Sequence, residues 1–178
     1  MIYLTQTNSN MKAVRLTIVA IVILICSTTK MRAGENDWHL YFAPSYYINP
    51  LARNVLQGGQ LGFEKELSHR RIAGFAFTVR ESELFEKATF KTAEYSLSGY
   101  YKPSLHLGKN SNFYISMGGN IGSGHIGFTF GLNLGLEYAI TFRNRMKLYF
   151  AQDNLLVFRS DNLLISGFSI GLKIPISK

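Results

Sequence analysis

Between residues 128 and 142 the chain alternates without a break. Phe128, Phe130, Leu132, Leu134, Leu136, Tyr138, Ile140 and Phe142 take the even positions. Thr129, Gly131, Asn133, Gly135, Glu137, Ala139 and Thr141 take the odd ones. A period of two belongs to a strand whose faces meet different surroundings, since a helix turns about 100° per residue. The run is far longer than an ordinary soluble strand of about five or six residues. It suits a strand that crosses a membrane, which needs about 9–11.

The same alternation recurs over 72–80, 93–102, 112–121 and 164–176, and more weakly over 38–47, 57–67 and 146–158. Together these predict an all-β domain of about eight strands, spanning residues 34–178. Short turns at 68–71, 107–111 and 143–145 alternate with connections at 48–56, 82–90, 122–127 and 159–162, of which the first two are clearly longer. Short periplasmic turns opposite longer outer loops mark an up-and-down antiparallel transmembrane β-barrel. An even strand count then puts both chain ends on the periplasmic side.

In such a barrel the apolar row meets lipid and the other row points inward. The inward row holds Glu64, Glu66, Arg80, Glu94, Lys102, Glu137 and Lys173. Isolated charges in a narrow interior are costly, so pairs are expected. About eight strands enclose a space that side chains fill, so these residues are expected to form a packed polar core and not a pore. A lipocalin-like barrel reverses the faces, with apolar residues around a ligand. The Gly and small polar row of 128–142 speaks against it, because a water-facing row would carry more Lys and Glu. Trp38, Tyr46, Tyr47, Tyr100, Tyr101, Tyr138 and Tyr149 fall near segment ends, where aromatic girdles would sit.

The first 33 residues differ. Leu16 to Cys26 is a continuous apolar run, preceded by Met11-Lys12-Ala13-Val14-Arg15. It is short of the roughly 20 residues of a spanning helix. A positive flank, a short apolar core and small polar residues read as a secretory signal over 1–33, cleaved after Ala33, with Met11 a second candidate for the true start. A lipoprotein reading would acylate Cys26, but Ile25 before it is not small; an uncleaved anchor on a soluble domain is the other alternative. Cys26 is the sole cysteine of the 178 residues, so the exported part has neither a disulfide framework nor a Cys-based zinc site. The net charge of +8 includes four basic residues of the leader, and the rest shows no dense basic stripe with interleaved aromatics. Direct nucleic-acid binding is not expected.

Gly122-Ser123-Gly124-His125-Ile126-Gly127 matches G-x-G-x-x-G, but a dinucleotide site needs a helix to follow, and a strand does. It reads as a tight loop, and no cofactor is expected. His39, His69, His106 and His125 show no metal-ligand spacing and read as interface or turn residues. Some barrels of this size are lipid deacylases with a Ser and a His near the outer leaflet. Ser123, His125 and Glu137 are the corresponding trio here, with no spacing that would bring nucleophile and base together. No catalytic or metal-binding residues are assigned.

The order of features resembles the TraO family of conjugative transposons. Gln57-Gly58-Gly59-Gln60-Leu61-Gly62-Phe63-Glu64 leads into a hairpin. Gly99-Tyr100-Tyr101-Lys102 follows, then Asn112-Phe113-Tyr114-Ile115-Ser116-Met117-Gly118-Gly119 and a Gly-rich strand pair. Asp153-Asn154-Leu155-Leu156-Val157-Phe158 and Gly167-Phe168-Ser169-Ile170-Gly171-Leu172-Lys173-Ile174 close the region. The resemblance covers most of residues 57–176. It implies a non-enzymatic outer-membrane component of a conjugative DNA-transfer apparatus, with outer-membrane lipid and other conjugal transfer proteins as partners. It supplies no catalytic residues. Lys178 ends the sequence where many outer-membrane barrels end in an aromatic. The alternatives are a general small outer-membrane barrel for adhesion or envelope stability, a lipid-modifying barrel enzyme and a lipocalin-like binder.

Overall fold

A computed structural model describes residues 37–51, 54–67, 71–81, 93–160 and 162–176. The leader over 1–33 with Met11 and Cys26, the turn at 68–70 with His69, and the connection at 82–90 lie outside the described residues.

Nine strands form: β1 Trp38–Asn49, β2 Asn54–Leu67, β3 Arg71–Glu81, β4 Glu94–Lys102, β5 Ser104–Leu107, β6 Ser111–Gly124, β7 Gly127–Thr141, β8 Lys147–Phe158 and β9 Leu164–Pro175. All pairings are antiparallel. β4 pairs with β6, and β9 returns to pair with β1, so the sheet closes on itself. β5 continues β4 past Pro103, whose missing N–H interrupts the ladder. The register against β6 shifts between Ser104 and His106. The nine segments therefore make eight barrel strands.

Two connections are shorter than the sequence suggested. β1 runs to Asn49 and β2 begins at Asn54, so the expected loop at 48–56 contracts to residues 50–53. β6 and β7 extend until His125 and Ile126 alone join them, with Gly127 at φ 109°. That φ favours glycine, which has no Cβ to clash. Polar and glycine residues near these turns hid strand that backbone pairing carries further.

The stagger fixes the shape. From Trp38, direct pairing runs through Lys65, Ala73, Tyr101, Met117, Leu134, Asn154 and Ser166, and returns to β1 at Ile48. One circuit climbs ten residues along β1. Eight strands with that stagger tilt by about 40° and enclose a backbone radius of about 8 Å. Such an interior has room for side chains and little else.

The apolar row of β7 faces outward, and Leu132 there is 61% exposed. Phe42, Leu61, Phe75, Phe77, Leu97, Ile121 and Ile170 continue the apolar wall around the other strands. The inward row of small and polar residues is buried. This overturns the lipocalin-like arrangement, in which the faces would be exchanged. Of the girdle candidates, Trp38, Tyr46 and Tyr138 stand outside, with Tyr101 half-buried. Tyr47 and Tyr149 instead point inward and are buried, and Tyr100 reaches the interior too.

Those inward rings fit because glycine lies directly opposite. Tyr41 pairs with Gly62, Tyr47 with Gly167, Tyr100 with Gly74 and Tyr149 with Gly171. A Cβ on Gly171 would stand 2.6 Å from the Tyr149 ring, and one on Gly62 2.6 Å from Tyr41. Each ring lies over the bare backbone of its neighbour, so large and empty positions interlock across the strands. Asn133 over Gly118 and Asn120 over Gly131 repeat the device with a smaller group. Gly171→Val is expected to cost about 1–3 kcal/mol through overpacking. Urea unfolding in lipid vesicles measures it, and an unchanged midpoint would show that both the Tyr149 ring and the neighbouring β1 backbone at Phe42 give way freely.

Candidate functional site

The seven inward charges sort into three levels. In the middle level, Glu64 of β2, Lys102 of β4, Glu137 of β7 and Lys173 of β9 meet on the barrel axis. These are alternate strands of the eight, so acid and base alternate around the ring. Lys102 Nζ donates to Glu137 Oε2 at 2.6 Å and also to Glu64 Oε1. Lys173 Nζ donates to Glu64 Oε2 and to Glu137 Oε1, each at 2.5 Å. Every lysine serves both carboxylates and every carboxylate accepts from both lysines. The ring is electrically neutral. Glu137 and Lys173 are each 1% exposed.

Tyrosines brace it. Tyr100 OH donates to Tyr41 OH at 3.0 Å and lies 3.1 Å from Glu64 Oε1. Lys102 Nζ sits 4.4 Å from the centre of the Tyr100 ring, and Lys173 Nζ 4.7 Å from that of Tyr149. Cations gain on an aromatic face when they are shielded from water. The rings thus take up the sides of the ammonium groups that the carboxylates leave open.

Toward the chain termini a polar vestibule of about 190 Å³ opens below the ring. Glu66 pairs there with Lys147, and Arg145 Nη1 lies 3.0 Å from Asp37 Oδ2. His39 lines this vestibule from within β1, buried on the inward row, so it is neither the turn nor the interface residue the sequence suggested. Toward the opposite end a cavity of about 40 Å³ lies over the ring, with Asp153, Gln60 and Asn133 in its wall. Room for a water or two is not a passage. At the far mouth Arg80 faces Glu94 at 3.5 Å and stacks over Tyr47. Asn162 donates to Glu94 at 2.9 Å and accepts from Asn49 at 2.6 Å.

The structure brings Glu64, Lys102, Glu137 and Lys173 together and keeps Glu66, Arg80 and Glu94 in separate pairs. Sequence reasoning missed Lys147, Arg145 and Asp37, which complete the vestibule. Lys147 shares its row of β8 with Tyr149, Ala151 and Asp153, and that parity was the available signal. The candidate hydrolytic trio is scattered. His125 lies in the turn beyond Gly124, Ser123 is on the outward row of β6, and Glu137 is ten residues down β7 from Gly127, inside the ring. G-x-G-x-x-G is a hairpin turn, with no helix behind it. His106 lies on the short β5.

A closed eight-stranded barrel with an apolar wall and a charged, filled interior decides the fold class. The fold is that of the small outer-membrane β-barrels. Solved structures agree with it. A designed transmembrane β-barrel superposes with a TM-score of 0.54 at 10% identity, covering 81% of this chain and all of that one. Ail, the attachment invasion locus protein of Yersinia pestis, gives 0.52 at 14% identity over 79% of this chain and 98% of its own. Neisserial surface protein A gives 0.51 at 11% identity over 81% and 99%. At such identities the likeness is one of fold. No family model matches the sequence, and no curated protein does.

Proposed function

We propose that the protein is a non-enzymatic outer-membrane component of a conjugative DNA-transfer apparatus, exported by a cleaved leader, that works through its surfaces and not through its lumen. The observation that carries this reading is the neutral four-residue ring across the axis. It occupies the position a permeant solute would need, with each charge already spent on its neighbours. The outer-membrane location is supported by the apolar wall and by the fold shared with Ail and Neisserial surface protein A. The role in DNA transfer rests on the resemblance of residues 57–176 to the TraO family. Partners would be lipid and other transfer proteins, with DNA carried by those proteins and not by this one.

Ail's description as an attachment protein motivates a second reading, a barrel for adhesion or envelope stability that acts alone. Recognition usually resides in long loops. Three of the four connections at the end away from the termini are short here, namely 50–53, His125–Ile126 and 159–163. Among the described residues, this end therefore offers little loop surface for adhesion.

Fractionation of a tagged copy tests both. The expected result is an outer-membrane band that migrates differently before and after boiling, brings down transfer proteins, and whose loss lowers DNA transfer. A heat-shifting band that comes down alone, with transfer unchanged, would leave the solitary barrel. A soluble band with no shift would overturn the membrane assignment itself.

A further inference from the structure

Among the described residues, the outward wall carries polar side chains at mid-strand in one place. In β8, Leu148, Phe150, Leu156 and Phe158 set the outward row, and Gln152 and Asn154 fall in that same row at the middle of the strand. Ser166 of β9, also outward, is the direct cross-strand partner of Asn154. Gln152 Nε2 donates to Asn154 Oδ1 at 2.9 Å, and Ser166 Oγ donates to the same oxygen at 2.8 Å. The other outward positions at this depth are apolar or glycine: Phe42, Leu61, Phe77, Leu97, Met117 and Leu134 among them. Acyl chains offer no hydrogen bonds, so polar groups there are costly unless paired. Asn154 Nδ2 and Gln152 Oε1 take no partner from the described residues of the barrel. One is a donor and the other an acceptor, and both belong to side chains of the outward row.

We infer that this patch is the seat of a second copy of the same chain. A two-fold axis along the membrane normal turns a patch that offers one donor and one acceptor into its own complement, with Asn154 Nδ2 of each copy meeting Gln152 Oε1 of the other. Symmetric self-complementary contacts of this kind are the commonest route to dimers. The patch is flanked by a groove on one side and exposed side chains on the other. Toward β7 lies an apolar groove of about 370 Å³ lined by Met117, Leu132, Leu134, Leu156 and Leu164, with Asn154 at its edge. Toward β1, Phe168 and Ile170 of β9 project, 55% and 54% exposed, and Phe168 is the direct partner of Gln152. The two-fold that joins the amides lays this ridge of each copy against the groove of the other. A lipid headgroup does not reach the middle of the strand, and a tail satisfies neither amide.

The inference rests on the membrane-spanning reading and is independent of the role in DNA transfer. A photoreactive phenylalanine analogue placed at Phe168 of the full chain, expressed and illuminated in cells, is expected to give a product of twice the chain's mass. The same analogue at Phe75, on the opposite wall, is expected to give none. Asn154→Leu should reduce the Phe168 product about tenfold, as the loss of an intramembrane hydrogen bond in each half would, while the barrel keeps its heat-dependent gel shift because leucine suits the wall. No product above the Phe75 control, a product with a different protein, or an undiminished yield with Asn154→Leu in a heat-shifting barrel each overturns the two-fold contact. A chain that fails to shift on boiling would instead remove the membrane reading beneath it.

Discussion

A Lys173→Met barrel is expected to lose about 3–5 kcal/mol of stability, the usual penalty for stranding a buried charge. The variant leaves Glu64 and Glu137 to share Lys102, where the native ring gives each carboxylate two ammonium partners. Removing Glu137 as well, in Lys173→Met/Glu137→Gln, returns the core to neutrality with Glu64 and Lys102 still paired. The double variant should recover most of the loss, because replacing a whole buried ion pair with neutral groups is often without cost. The sole tryptophan, Trp38, stands on the outer wall and reports unfolding by its emission during urea titration in vesicles. Equal losses in the single and double variants would mean that the four residues contribute as space-fillers and that their charges do not act together.

The second large effect concerns the wall. Leu61 lies at the middle of β2 and is 49% exposed, between Phe42 and Phe77 on the adjacent strands. Leu61→Arg is expected to cost about 2–4 kcal/mol in a bilayer, the price of an arginine at mid-depth on a barrel's lipid face. Val55, near the end of the same strand and on the same row, reaches the interface, and Val55→Arg should cost about 0–1 kcal/mol. The depth dependence carries the argument. A wall that met water would tolerate both arginines alike, and urea titrations with equal midpoints would rule out the membrane orientation.

The barrel was legible in the sequence because lipid and a narrow interior impose opposite demands on adjacent residues, and β7 obeys them over its whole length. The charges of the inward row were legible for the same reason. Which of them meet was not. Glu64, Lys102, Glu137 and Lys173 sit on four strands that never pair with one another, and only the stagger of all eight strands brings them to one level. Tyrosine blurred the reading elsewhere, since its ring suits lipid and its hydroxyl suits a polar core. The place of Tyr47, Tyr100 and Tyr149 near segment ends points to the girdle, whereas the glycines opposite them decide their direction. Gln152 and Asn154 break the alternation of 146–158 instead of following it, so a period of two does not single them out. Their parity with Phe150 and Leu156 places them on the lipid side.

The ring also bears on how the barrel is completed. Its members come from β2, β4, β7 and β9, so the last of them arrives with the final strand. A chain that has assembled every strand but β9 holds two carboxylates against one ammonium at its centre, and it also exposes the unpaired edges of β1 and β8. Docking of β9 removes both defects at once: it seals the seam and brings in Lys173. A copy truncated before Lys173, or paired out of register along that seam, keeps surplus negative charge among its buried inward side chains. Closure and charge balance are therefore one event, and an unfinished barrel carries its own mark of incompleteness.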